Sequence, residues 1–330
     1  MSADPNGHDV RARLGDVDFE ALIRSAARQS GFRGAPESWR LILTGYEDCN
    51  VVICDRDQRA FVKFFATTRD RQACESYVLA TTRAMGAGVR HPRLIPSFES
   101  GELLHEIVIG GRTFLACSME FVAAPSLYER SRDLTSIELD DLVDQMTRLH
   151  GLEAEPTTIY DRWSAVNARR EFEQFRAHLG ADHDAVAEAV ERFDLVELGA
   201  LPHALVHADL VPTNLLCPGN GTVQVIDFGR ADRLPRIHDV AVLVAYTLVH
   251  PDGSGLDDDV VERVIEAYRS RRMLDHCEVE AIRPYVAAVS AACVVGALAS
   301  ALHGDDTVEN AYWLTRGRRV LAQALELWSA

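Results

Sequence analysis

His207-Ala-Asp-Leu-Val-Pro-Thr-Asn214, with Asp227-Phe-Gly229 beyond it, fits the pattern H-x-D-x-x-x-x-N followed by D-F-G. Both carboxylates sit where loops leave apolar, strand-like runs. From the chain's own residue frequencies the first pattern arises by chance roughly 0.02 times, and a D-F-G in a ten-residue window multiplies that by about 0.002. Coincidence is thereby a poor account of the pair. Phosphoryl transfer needs one carboxylate to orient or deprotonate an attacking hydroxyl and oxygen ligands for a magnesium ion that bridges phosphates. Asp209 suits the first task as the catalytic residue, and Asn214 and Asp227 suit the second as metal ligands. His207 reads as a packing residue that shapes the loop.

A second signal lies upstream. Lys and Arg total 34, and Lys63 is the only lysine, so position 63 retains a group that a guanidinium does not replace. In Phe61-Val-Lys-Phe-Phe65, period-2 alternation puts Lys63 on the face of Phe61 and Phe65, where a partly buried ammonium needs an anionic partner. Glu75, the only glutamate between Ala66 and Phe98 and on the helix that follows, is the expected partner. A strand lysine paired to a helix glutamate is how kinases orient the α- and β-phosphates of ATP.

Around these residues the chain changes character once. Helical spacing over 16–30 precedes strand-like runs at Trp39–Leu43, Val51–Cys54 and Ala60–Phe65. A helix over Arg69–Met85 follows, then a strand pair, Leu103–Ile109 and Thr113–Phe121, turning at Gly110-Gly111. After Ala124-Pro125 helical periodicity dominates: 138–152, 161–178, 185–198, 240–250, 258–271, 278–302 and 308–327. Two short apolar strands, 215–217 and 223–226, flank the turn Pro218-Gly-Asn-Gly221.

Composition narrows the function classes. The formal charge of -16 argues against a nucleic-acid partner, since phosphate backbones are bound through clustered Lys and Arg. Seven scattered cysteines without C-x-x-C spacing favour reduced thiols and a cytoplasmic setting over a disulfide framework or zinc site. Met1–Asp18 lacks the apolar core of a signal peptide and reads as a short disordered tail. The uncharged run Tyr285–Leu302 is rich in Ala, Ser and Gly and reads as a buried helix, not a membrane span.

Taken in order, Lys63, Glu75, His207-x-Asp209, Asn214 and Asp227-Phe-Gly resemble the aminoglycoside phosphotransferase and choline kinase family of protein-kinase-like enzymes, over about residues 38–330. The resemblance implies an α+β, bilobal fold: a disordered tail at 1–15, a small β-rich N-terminal ATP-binding lobe at 16–122, and a larger, mostly helical catalytic and substrate-binding lobe at 123–330. It implies ATP and Mg2+ as cofactors. Lys63 and Glu75 would bind nucleotide, with Gly45 in the loop Thr44–Asn50, and Glu120 and Val122 of Met119-Glu-Phe-Val122 would form the hinge that receives adenine. Leu149-His150 and Asp239 read as structural, with Asp239 capping the helix after D-F-G and bracing the catalytic loop.

Departures from protein kinases choose within that superfamily. The loop Thr44–Asn50 has one glycine, Ala208 replaces the arginine before the catalytic aspartate, and eleven residues separate Asp227 from Asp239 with no A-P-E. These favour a small-molecule kinase. The resemblance implies a hydroxyl-bearing acceptor, an aminoglycoside or other antibiotic first, with choline, homoserine, methylthioribose or amino-sugar types as alternatives. A protein kinase and a non-catalytic nucleotide-binding module are further readings. Asp161, Glu171, Asp305, Asp306 and Glu309 could meet an amino sugar or simply face solvent, and Trp163 and Trp313 could be core or pocket walls. No membrane partner is expected, and the sequence leaves the oligomeric state open.

Overall fold

A computed structural model describes residues 5–42, 47–130, 132–247 and 258–327. The chain divides into two compact units, one formed by residues up to Thr82 with His91–Ala124, the other by Arg83–Arg90 with Pro125–Ala330.

The first unit carries helices α1 (Pro5–Leu14) and α2 (Phe19–Gln29) ahead of strands β1 (Ser38–Ile42), β2 (Cys49–Cys54) and β3 (Arg59–Phe64). Helix α3 (Arg71–Gly86), β4 (Leu94–Ile95), β5 (His105–Ile109) and β6 (Arg112–Glu120) follow. The strands form one antiparallel sheet in the order β1-β2-β3-β6-β4, with β5 paired to β6. Alternation along β3 sends Ala60, Val62 and Phe64 into a core with Val51 and Ile53 of β2 and with Leu14, Leu22, Ile23 and Ala26 of the first two helices. Lys63 is therefore on the opposite face. Asp18 caps α2, its carboxylate accepting the Ala21 N–H at 2.9 Å.

The expected disordered tail needs correcting. Residues 5–14 are helical, and Val10 and Leu14, one turn apart, are 6% and 0% exposed in the core. Their apolar spacing is only two residues deep in a polar stretch, so composition hides it. What holds the segment is contact with the sheet.

The second unit is mainly helical: α4 (Ser136–Leu149), α5 (Ala168–Phe175), α6 (His183–Asp194), then β7 (His203–Val206), β8 (Leu215–Leu216), β9 (Gln224–Val225) and β10 (Asp232–Pro235), and finally α7 (Ile237–Thr247), α8 (Asp258–Arg269), α9 (His276–Leu302) and α10 (Val308–Leu327). Two antiparallel pairs, β7 with β10 and β8 with β9, fix where the loops between them emerge. β7 is the apolar run that leads into His207, whereas its partner β10 has no counterpart in the sequence expectations. Each strand is four residues long, too short for alternation to register.

Helix α9 is the axis of this unit, packing against α5, α6, α7 and α10. It is long and apolar enough to cross a membrane, yet 78% of that window is buried within the protein, as a core helix requires. Its start is fixed by a capping box of Asp275 and Glu278, and Glu278 also takes both donors of buried Arg236 at 2.6 Å. The expected helix over 161–178 is shorter, since α5 begins only at Ala168. Asp161 accepts the Trp163 N–H at 3.1 Å and the Asn167 side chain donates to the Asp161 carbonyl at 2.8 Å, local bonds that compete with helix. The expected 240–250 helix ends, among described residues, at Thr247. All seven cysteines are free thiols.

Close helix approach depends on two glycines. A Cβ on Gly296 of α9 would meet the Trp163 ring at 2.7 Å, and one on Gly317 of α10 would meet Cys293 at 3.1 Å. Gly296→Ala should lower stability by about 1–3 kcal/mol, whereas Gly34→Ala, where a Cβ meets open space, should stay within about 0.5 kcal/mol. Denaturant midpoints of the two variants check this.

Candidate active site

In the second unit, β7 ends at Val206 and the chain turns through His207-Ala-Asp209 into the short helical turn Pro212–Asn214. The turn is forced. Ala208 has φ 65°, a left-handed conformation that costs a non-glycine residue about 1–2 kcal/mol. Asp239, in the first turn of α7, holds it there: one carboxylate oxygen accepts the His207 N–H and the other the Ala208 N–H, both at 2.8 Å. Charge-assisted bonds of this kind are worth about 1.5–3 kcal/mol each, enough to offset the strain. Asp239 is thus a brace for the loop, not a cap for its own helix.

The brace is itself braced. Asp239 is fully buried and accepts from His150 Nε2 at 3.0 Å, while His150 Nδ1 accepts from the Tyr268 hydroxyl at 2.8 Å. Burial alone pushes the Asp239 carboxyl up, but the hydrogen bond from His150, with electrostatic help from the nearby His150, His207 and His238 rings, outweighs it and holds the group below the ordinary carboxylate value. His207 completes the loop. Its Nδ1 accepts the Asp209 N–H at 3.2 Å, so the Nε2–H donates to the Ile226 carbonyl at 3.0 Å, and burial keeps the ring neutral. Its centroid lies 4.5 Å from Phe228, which ties the loop to the Asp227-Phe-Gly turn.

Asp209 and Asn214 are brought together directly. The Asn214 side-chain amide donates to Asp209 Oδ2 at 2.7 Å and to the Asp209 carbonyl at 3.0 Å. Burial and then the charges of Asp161 and Asp227 push the Asp209 carboxyl up to about 7, against the opposing pull of Arg230 and the Asn214 bond. A carboxyl titrating near neutrality is suited to general-base work. Asp227 has φ 66° and accepts the Gly229 N–H at 3.2 Å, a turn that presents its carboxylate toward the loop.

With the Asn214 amide nitrogen committed to Asp209, its oxygen and the Asp227 carboxylate are hard donors of the kind magnesium takes. Among the described residues no group of three or more His, Cys, Asp or Glu could hold a metal. The donor set therefore fits an ion that brings phosphate oxygens and water as its other ligands.

Asp161 is a charged neighbour of Asp209 that the motifs do not contain. Its charge reaches Asp209, it faces Arg230 at 3.9 Å, and Arg230 also donates to the Tyr160 carbonyl at 3.3 Å. On the same side, buried Tyr246 is pushed well above its ordinary pKa by burial, by Cys293, and then by Asp209 and Asp161. Tyr246 packs edge-on to Trp313 at 5.5 Å, and Trp313 meets Tyr312 at 4.8 Å and Tyr128 at 6.4 Å. Trp313 is thus one wall of an aromatic cluster. Trp163, partly buried, packs against Gly296 of α9.

In the first unit the expected pairing of Lys63 with Glu75 is corrected. Lys63 Nζ lies 2.9 Å from Asp48 Oδ2, with the two side chains 5% and 2% exposed. Glu75 faces solvent and pairs with Arg71 at 3.5 Å. The reason is helix phase: Ala73, Cys74, Tyr77 and Ala80 form the buried stripe of α3, and Glu75 falls outside it with Arg71 and Leu79. Sequence could have pointed to Asp48, because β2 pairs Asn50 opposite Lys63 and Asp48 is then its diagonal neighbour on the same face. Glu120 ends β6 and binds Arg93 at 2.6 Å, and Val122 follows it, partly buried. Gly45 lies outside the described residues.

The sequence pattern described as the phosphotransferase enzyme family matches residues 38–274. The chain belongs to this family. No curated protein sequence matches it significantly. Among solved structures it is similar to amicoumacin kinase in complex with AMP-PNP, Ca2+ and its substrate, at 16% identity, covering 95% of each chain, with a TM-score of 0.69. It is similar to spectinomycin phosphotransferase with ADP and spectinomycin, at 12% identity over 98% of this chain and 97% of that one, TM-score 0.62. A choline/ethanolamine kinase family protein from Mesorhizobium loti is similar at 15% identity over 94% of each chain, TM-score 0.63. These likenesses show the protein-kinase-like fold of the family's small-molecule kinases.

Because native Asp239 holds its proton less tightly than an unfolded aspartate does, the unfolded state takes up more protons as pH falls. The stability Asp239 contributes is fully present above the ordinary carboxylate range near 4 and is lost as pH drops through the lowered native value. Asp239→Asn should cost about 3–5 kcal/mol at neutral pH. Urea titrations from pH 7 down to 3 should show that gap shrinking on the acid side only.

Proposed function

We propose that the chain transfers the γ-phosphate of ATP, with magnesium, to a hydroxyl of a small molecule. The observation that carries this is Asp209, fixed by Asn214 and held with its carboxyl near neutrality by burial and by Asp161 and Asp227. Asp209 Oδ2 is occupied by Asn214, so its other oxygen receives the acceptor hydroxyl's proton as attack develops. Asn214 and Asp227 would hold the magnesium ion. When bound, that ion neutralises charge on the phosphates. Lys63 pairs with the α- and β-phosphates, while Glu120 and Val122 offer backbone to adenine.

For the acceptor we read an amine-bearing hydroxyl compound, an aminoglycoside or other antibiotic first. The support is the acidic and aromatic wall beside Asp209, namely Asp161, Tyr246 and Trp313, since carboxylates and ring faces both favour a cation. The likeness to spectinomycin and amicoumacin kinases points the same way. The aromatic cluster also favours a second reading, a small metabolic amine such as choline, given similarity to choline kinases. A cytoplasmic setting fits seven free thiols.

Incubation with ATP and Mg2+ against antibiotics and metabolic amino alcohols, read by mass for a phosphate adduct, should find a modified small molecule. A phosphorylated polypeptide and no modified small molecule would overturn the proposal. Asp209→Ala should lower turnover by about 1,000-fold or more while nucleotide affinity, measured by calorimetry, stays within about threefold. Lys63→Arg should also fail, because a planar guanidinium does not fit the place of a compact ammonium.

A further inference from the structure

We infer that Asp48, at the entry to β2, is the positioning carboxylate for Lys63 in this chain, taking the role that a helix glutamate has in kinases. The inference rests on the nucleotide-dependent reading of Lys63 above.

The geometry is that of a built anchor. One Asp48 oxygen takes the Lys63 ammonium at 2.9 Å, and the other takes the Ala66 N–H and Arg69 Nε, each at 3.0 Å. Arg69 in turn reaches Glu47 at 2.5 Å, and Arg13 at the end of α1 donates to the Asp48 carbonyl at 2.6 Å. The carboxylate is therefore fixed by Ala66 and Arg69 of the segment after β3, and the Asp48 backbone by Arg13 of α1. A charge so buried is retained where its pairing serves a purpose, because removing either partner strands the other.

Helix α3 offers no competing carboxylate. The residue it sets against Lys63 is Tyr77, whose ring lies 5.5 Å from the ammonium and packs edge-on to Phe65 at 5.3 Å. Cys74, on the same stripe, is a thiol pushed up to about 11 chiefly by burial, so it stays neutral there. The consequence is mechanical. A lysine tied to a helix glutamate is in place only when the helix is, which is the basis of helix-swing control in protein kinases. A lysine tied to a carboxylate at the entry to β2 is oriented from the hairpin side and needs no carboxylate from α3. Its orientation therefore does not depend on a swing of Glu75 toward it.

The single lysine makes the test direct. The full chain without a lysine-bearing tag, grown with lysine labelled with 15N at Nζ, gives one side-chain ammonium signal that needs no assignment. Asp48→Asn, nearly identical in shape, should move that signal, weaken Mg·ADP binding and lower turnover by about 100-fold, with Asp48→Glu recovering part of the loss. Glu75→Gln should leave signal, affinity and turnover within about twofold of the parent. The inference is overturned if Glu75→Gln moves the lysine signal and binding, or if Asp48→Asn binds nucleotide as well as the parent or better, the latter marking Asp48 as a competitor. If Asp48→Asn does not fold, the parent, Asp48→Glu and Glu75→Gln still decide the matter through the lysine signal. A parent protein that binds no nucleotide would sink the functional reading instead, while the signal would still report which carboxylate holds Lys63.

Discussion

The second unit depends on one buried carboxylate. Asp239 accepts the two backbone N–H groups that keep Ala208 left-handed, and it stays ionised away from water with the help of the hydrogen bond from His150, which Tyr268 orients in turn. Those partners come from the end of α4 and from α8, so one charge joins α7, two other helices and the loop after β7. Removing it would leave donors unpaired in the interior and a strained alanine with nothing to oppose its strain.

The same loop shows how environment separates two aspartates. Asp239 meets histidines and N–H donors and is held low, whereas Asp209 meets Asp161 and Asp227 and is pushed up to about 7. Asp239 is fully buried and Asp209 partly so, and desolvation acts on both in the same direction. The neighbours decide which becomes a permanent anion and which a group able to exchange a proton near neutral pH. Burial raises both carboxyls, and hydrogen bonds together with neighbouring charges then set them apart.

The first unit places its charge by a different device, a strand pair. Lys63 and Asp48 meet because β2 and β3 fix them as diagonal neighbours on the face turned away from α1 and α2. The alternation that buries Val62 and Phe64 in the core is what points Lys63 at Asp48. Packing of the sheet and orientation of its cation are consequences of one register.

The sequence alone picked out the candidate site positions and most regular elements. Asp209, Asn214 and Asp227 are close in the chain and fixed in spacing by the turns between β7 and α7, and long helices such as α10 announce themselves through sustained periodicity. Tertiary structure decided what those residues experience. The Asp48 partner of Lys63, the Asp161 charge beside Asp209, the short β7–β10 pair and the helix before the sheet arise from contacts distant in sequence or from burial. A motif names a candidate group, whereas its ionisation and its partner depend on which segments pack around it, and only the folded chain sets that.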